Sequence, residues 1–302
     1  MDDFVFRKHP DTGSWVILAP RRSQRTNAGK IVSDICPFCI GREAEEEELY
    51  RVGGKTGDSN WQIRVIPNKF PFTPHHEIII HSPDHHKNID ELPFSQVVLL
   101  LETYRQRFLA NRQKGQVYIF HNHAHASGES LSHPHTQVTV LPDFVHLSIP
   151  LLDKHIYKKQ SWFGKKEQDD VLETDKFLVF CPKNSDWPDE VWIAPKKHHG
   201  QFGDITDPDI TDMAFVLSRL IQLFDLRHGF EFPFNFYIYP GNKWYLRLIP
   251  RLKILGGFEL GTQVIVNTQD PSETFAFIKE HFWQPDREKI KQEHQAEYLK
   301  TV

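Results

Sequence analysis

Gln62-Ile63-Arg64-Val65-Ile66-Pro67 and Phe177-Leu178-Val179-Phe180-Cys181-Pro182 are two short apolar runs, each closed by a proline, and each opens the same succession of elements. Runs of this length, rich in β-branched and aromatic residues, predict strands. After the first come Glu77-Ile78-Ile79-Ile80-His81, then apolar residues at Val97, Leu100, Leu101 and Tyr104 with helical spacing, then strands at 116–121 and 136–141. After the second come Glu190-Val191-Trp192-Ile193-Ala194-Pro195 and a helix starting near Thr206-Asp207-Pro208, an N-cap followed by an early proline. That helix carries Ile210, Met213, Leu217, Leu220, Ile221 and Phe224, and strands at 234–238 and 244–249 close the unit. Strand, strand, helix, strand, strand occurs twice, which predicts an α+β fold of two tandem, duplicated half-domains, each an antiparallel sheet with a packed helix. The join falls between Pro142 and Asp175, so the domains are expected at 1–150 and 151–302. The charged stretch 165–170 and the acidic run Glu45–Glu48 read as solvated loops.

With 302 residues the chain has length enough for a large core or two ordinary ones, and that core is rich in aromatics, with 23 Phe, 8 Tyr and 7 Trp. The net charge of −4 offers no overall attraction for a phosphate polymer, so a nucleic-acid partner is not expected. The start, Met1-Asp2-Asp3-Phe4, lacks a basic flank leading into an apolar run, and no stretch is long and apolar enough to span a bilayer. Three cysteines make no disulfide framework, and a cytoplasmic location is expected. Eighteen histidines are the anomaly, several of them gathered at 75–86 and 121–135.

The densest chemistry lies in His133-Pro134-His135-Thr136-Gln137. Period-2 alternation in a strand puts His133, His135 and Gln137 on one side. Imidazole is a competent nucleophile toward phosphorus near neutral pH, and a phosphorylated imidazole passes its load onward. Directly before it, Ala126-Ser127-Gly128-Glu129-Ser130-Leu131-Ser132 offers small residues and hydroxyls suited to cradling phosphate oxygens. Cys36-Pro37-Phe38-Cys39 has metal or redox spacing, and no thioredoxin-like βαβ pattern surrounds it. If it holds zinc, two histidines complete a tetrahedral set, and His85 and His133 are the candidates. A closed four-ligand site of that kind is structural rather than water-activating. Arg21, Arg22 and Arg25 follow the strand-like Trp15-Val16-Ile17-Leu18-Ala19-Pro20 and are either a phosphate clamp or plain solvated charge.

These stretches, together with Ile66-Pro67-Asn68-Lys69-Phe70-Pro71, Ser82-Pro83-Asp84-His85 and Phe120-His121-Asn122, resemble the galactose-1-phosphate uridylyltransferase family of the histidine-triad superfamily over almost the whole chain. The resemblance implies histidine-triad-like half-domains, the nucleophile motif lying in the first alone. It implies that His135 forms a nucleotidyl-histidine intermediate while Gln137 hydrogen-bonds the transferred phosphoryl group. It further implies that Ser130, Asn122 and Asn68 serve phosphate and nucleophile, that Arg22 and Arg25 meet the sugar phosphate or diphosphate, and that Cys36, Cys39, His85 and His133 bind one structural zinc per chain. The partners it implies are a nucleotide sugar, a sugar phosphate and a second copy of the chain, with Asn235, Lys243 and Glu259 reaching the sugar site across that boundary.

An amide at 137, where histidine-triad hydrolases carry an acid, suits transfer between phosphates and disfavours activation of water. Trp244-Tyr245-Leu246-Arg247-Leu248 stands where some members carry a second His-x-His, so no iron is expected. Ser127–His133 and Gly256–Thr262 resemble the ADP-glucose phosphorylase branch more closely. Transfer of UMP from UDP-glucose to galactose 1-phosphate is the first expectation, and adenylyl transfer from ADP-glucose to phosphate the second. A silent nucleotide-binding relative is the rival from another class.

Overall fold

Ten strands join edge to edge in one antiparallel sheet in a computed structural model that describes residues 4–24, 36–150, 152, 171–197, 200–229 and 232–293. The first set is β3 (Tyr50–Val52), β4 (Ile63–Pro67), β5 (His76–Ile80), β6 (Gln116–His123) and β7 (His135–Leu141). The second is β8 (Leu172–Glu173), β9 (Phe177–Phe180), β10 (Val191–Pro195), β11 (Phe234–Ile238) and β12 (Leu246–Pro250). Their order across the sheet is β3-β4-β5-β7-β6-β11-β12-β10-β9-β8, and β6 pairs directly with β11, Phe236 opposite His121. A separate hairpin, β1 (Val5–Lys8) and β2 (Trp15–Leu18), precedes it. Arg25 and the charged stretch 165–170 lie outside the described residues.

Helices α1 (Phe94–Asn111) and α2 (Asp207–His228) cover one face of the sheet. Val97, Leu100, Leu101 and Tyr104 of α1 pack on Ile63, Val65, Ile79, Val117, Ile119, Val138 and Val140, the alternate residues of β4 to β7. A capping box starts α2, with Thr206 Oγ1 accepting from the Asp209 backbone N–H and the Asp209 carboxylate from that of Thr206. The helix stops at Gly229, whose φ of 93° few other residues tolerate. Helices α3 (Gly257–Thr262) and α4 (Pro271–His281) follow the sheet. Among the described residues no helix is long and apolar enough to cross a membrane.

Two buried carboxylates tie the first set together. Glu77 on β5 accepts two bonds of 2.7 Å from Arg107 on α1 and a third from Asn111. Glu48 accepts from Arg51 and from the fully buried Arg64 of β4. That overturns the reading of the whole acidic run as solvated, because the Glu48 side chain is 3% exposed and its two arginine partners hold its carboxyl below the usual range against burial.

Strand β7 begins at His135 rather than including His133. Pro134 has no N–H to donate to a ladder, so His133 lies in the bend before the strand. Its carbonyl and its ring are thereby free of ladder geometry, and both meet specific partners.

Candidate active site

His135 opens β7 and stands on the sheet face away from α1, as the alternation with Thr136 predicts. Its Nδ1 lies 2.9 Å from the His133 carbonyl oxygen. A carbonyl only accepts, so Nδ1 carries the proton and Nε2 is the ring's lone-pair nitrogen. Phe38 packs edge-on to the same ring at 5.3 Å between centroids. A cleft of about 300 Å³ opens here, walled by His135, Gln137, Ser130, Asn68 and Arg22 together with Phe38, Ile66 and Ile78.

Gln137 follows two residues along the same face. Its Oε1 receives Nε2–H of His76 at 2.9 Å and Nδ2 of Asn68 at 3.3 Å, which leaves the amide NH₂ as the end presented to the cleft. Asn68 is itself fixed, its Oδ1 accepting from the Phe70 backbone N–H. Arg22 donates to the Phe70 carbonyl at 2.9 Å and lies over the Phe72 ring, so its guanidinium is anchored at the cleft wall by aromatic and backbone contacts. Arg21 is exposed.

Ser130 ends a loop that β6 enters through Ala124, whose φ of 63° is unusual for a residue with a Cβ. A 3-10 turn at His125–Ser127 and the left-handed Gly128 complete the turn. Asn122 is not part of the cleft wall. Its Oδ1 accepts from Asn235 Nδ2 at 2.7 Å, and the same amide of Asn235 also donates to the Ser127 carbonyl at 3.0 Å. Asn235 is 1% exposed and works inside its own chain, which corrects its expected place at a subunit boundary.

Cys36, Cys39, His85 and His133 converge with their ligand atoms within 4.8 Å of one another, and such a group could hold a metal ion. Nδ1 of His133 lies 3.7 and 3.6 Å from the two sulfurs, and Nδ1 of His85 lies 3.2 Å from that of Cys39. Nε2–H of His133 donates to the Ser82 carbonyl at 2.8 Å, which puts the lone pair on Nδ1. A second partner that fixes the ligating tautomer is the usual support of a metal-bound histidine. Burial pushes the Cys36 thiol up to about 11 and the His133 imidazole down to about 4. A neutral imidazole and soft sulfurs in tetrahedral reach fit zinc.

The sequence reading did not single out His76, although it lies in the histidine-rich stretch 75–86 and stands two residues before Ile78 on the cleft face. That alternation was the available signal. It also passed over a group behind the strand, where His81, Tyr104, Thr136 and His121 meet in the layer under α1.

No protein-family model matches the chain. ADP-glucose phosphorylase from Arabidopsis thaliana is 26% identical over 329 aligned residues, spanning 91% of this chain and 92% of that protein. The galactose-1-phosphate uridylyltransferase of Thermotoga maritima is 25% identical, spanning 91% of this chain and 97% of its own length. These two kinds of enzyme are the chain's relatives. The crystal structure of the Arabidopsis phosphorylase with bound ADP-glucose matches at a TM-score of 0.68 and 26% identity, covering 92% of this chain and 99% of that one. A solved uridylyltransferase matches at 0.71 over 91% of this chain and 96% of its own, and at 21% identity that likeness is one of fold, the large antiparallel sheet with few helices.

Proposed function

We propose that the chain is a nucleotidyltransferase in which Nε2 of His135 attacks the α-phosphate of a nucleotide sugar. A P–N bond forms as the P–O bond to the sugar phosphate breaks, and hexose 1-phosphate leaves with the bonding electron pair. A second phosphate then takes the nucleoside monophosphate from the imidazole. The observation that carries this reading is the 2.9 Å contact from His135 Nδ1 to the His133 carbonyl, which fixes the nucleophilic tautomer beside a cleft of substrate size.

Gln137 presents N–H donors where negative charge builds on the phosphoryl oxygens, and His76 with Asn68 holds it in that orientation. An amide supplies no proton, which suits a leaving group that is already a stable anion and gives water no help. Ser130 and Arg22 line the same cleft and are assigned to phosphate and diphosphate oxygens. Arg25 takes the same role by resemblance alone, and Asn122 acts on the loop through Asn235. Zinc at Cys36, Cys39, His85 and His133 is assigned a structural role. It ties the segment at Cys36 to the residue whose carbonyl orients the nucleophile, and the two free thiols suit a reducing compartment.

Two donor and acceptor pairs follow from the relatives: UDP-glucose with galactose 1-phosphate, and ADP-glucose with inorganic phosphate. The relatives support the two pairs alike, at 26% identity to the phosphorylase and 25% to the uridylyltransferase, each across 91% of this chain. Exchange of labelled glucose 1-phosphate into UDP-glucose or ADP-glucose, with no acceptor added, identifies the donor. Exchange into neither overturns the proposal.

We also assign the two strand sets, 3-4-5-7-6 and 8-9-10-12-11 outward to inward, to tandem histidine-triad-like half-domains with boundaries near 1–150 and 151–302. A homodimer is proposed on the exposed strip Leu252, Ile254, Phe258, Leu260, Val264 and Val266. Ile254 is 91% exposed and α3 buries none of its residues, a patch that a soluble monomer rarely leaves open. Lys243 and Glu259 are assigned to the partner's sugar site by resemblance alone.

A further inference from the structure

In the layer between the sheet and α1, besides the Glu77–Arg107–Asn111 cluster, four polar side chains meet in one network directly behind the nucleophile. Thr136, the residue after His135, is fully buried with its Oγ1 2.6 Å from Tyr104 Oη and 2.8 Å from His81 Nε2. His81 stacks on His121 at 5.1 Å, and His121 in turn lies on the Phe236 ring at 4.9 Å. Both imidazoles are 0% exposed, and burial holds both well below the ordinary histidine range, so both are neutral. Nδ1 of His121 reaches the carbonyl oxygen of His135 at 2.8 Å, and because that oxygen only accepts, Nδ1 is the donor.

The pairing of β6 with β7 ends at the rung His121 opposite Thr136, so the His135 carbonyl lies one residue past the last rung. The imidazole of His121 reaches around this end of the ladder and donates a side-chain hydrogen bond to that carbonyl. The donation requires the Nδ1–H tautomer, which leaves Nε2 of His121 an acceptor, buried and without a hydrogen-bond partner. An arrangement that leaves such an atom unsatisfied is destabilising, and an apolar residue at 121 would avoid it.

We infer that His121 is a positioning residue for nucleotidyl transfer, its Nδ1–H holding the backbone of His135, with Tyr104 and His81 clamping the adjoining Thr136. This rests on the proposed role of His135. His121 touches no substrate. It fixes the main chain from the rear, while the His133 carbonyl fixes the ring from the front. Small displacements matter at such a point, because misplacing a nucleophile by about 1 Å costs on the order of 100-fold in rate.

The test compares His121→Phe, which keeps the aromatic stack and loses the donor, with His121→Asn, whose amide nitrogen replaces Nδ1. For each full-length protein three quantities are measured: the single-turnover rate of adduct formation with the nucleotide sugar that labels the wild type, the Kd for that nucleotide sugar, and amide hydrogen exchange across 133–137 in the free protein. Expected are a rate loss of about 100-fold in His121→Phe with Kd within about threefold, recovery to within about fivefold in His121→Asn, and faster exchange in the Phe variant only. Equal rates in both variants, or a rate loss that Asn does not repair, overturns the inference. Should Phe fail to fold, Tyr104→Phe serves, since it removes one clamp on Thr136 and is expected to slow adduct formation severalfold without changing Kd. A wild-type rate there overturns the inference. Absence of any adduct in the wild type sinks the role of His135 itself, whereas labelled wild type with unaffected variants sinks only the role of His121.

Discussion

Nε2 of His76 lies 2.9 Å from Oε1 of Gln137, so the oxygen of that amide is held away from the cleft. Without His76 only the longer bond from Asn68 Nδ2 holds that side, and the amide turns its oxygen more readily toward the phosphoryl group, where it would repel instead of bind. His76→Phe is therefore expected to lower kcat about tenfold with little change in stability, while His76→Gln, which retains a donor, loses less. A tenfold loss corresponds to about 1.4 kcal/mol of transition-state stabilisation. Steady-state kinetics of both variants are the check, and equal kcat values would show that the contact is idle.

The four converging ligand atoms predict one zinc per chain by elemental analysis, and a thermal cost when it is removed. Chelation or Cys39→Ser is expected to lower the melting midpoint by about 5 °C, the scale of losing about 3 kcal/mol in a chain of this size. A chelated protein that melts as before yet stops turning over would make the metal catalytic instead.

Arg107 and Glu77 form the bidentate pair that fastens α1 to β5, both largely buried. Arg107→Met strands a carboxylate in the core and is expected to cost about 3–5 kcal/mol by chemical denaturation. The double change Arg107→Met with Glu77→Leu is expected to recover much of that loss. Failure to recover would place the importance of Arg107 in its packing.

Asp90, ahead of α1, and Asp225, on α2, share a buried site, where burial and then the Asp90 charge push the Asp225 carboxyl up to about 8 from its ordinary 3.8. Between those values the folded chain binds the extra proton and the unfolded chain does not. Stability from this group is thus complete below about pH 4 and falls as pH rises toward 8. Asp225→Asn is expected to be more stable than the wild type at pH 8, by a margin that shrinks toward pH 5. Parallel pH curves for the two proteins would mean that the pair does not share a proton.

Much of the fold was legible because the apolar runs kept strand and helix periods without ambiguity. The N-cap at Thr206 and the spacing Val97, Leu100, Leu101, Tyr104 placed both long helices. The short edge strands β3 and β8 were not legible, since three and two residues are too few to display a period. His135, Gln137 and the Cys36–Cys39 pair were readable from local motifs, and His85 and His133 from chemistry that needed two more ligands. His76, Glu48, His121 and Asn235 were hidden for one shared reason. Each matters through a partner at least 14 residues away, and spacing along one strand says nothing of which side chain lies across the sheet.

All that is proposed for the cleft requires the imidazole of His135 to become covalently loaded. Intact mass measurement after incubation with UDP-glucose or ADP-glucose, followed by peptide mapping under alkaline conditions, tests it directly. Expected is an acid-labile increment of one nucleoside monophosphate on the peptide carrying His135, lost in His135→Ala, which still binds the nucleotide. Turnover by the wild type with no adduct on that peptide, or an equal adduct in His135→Ala, would contradict it.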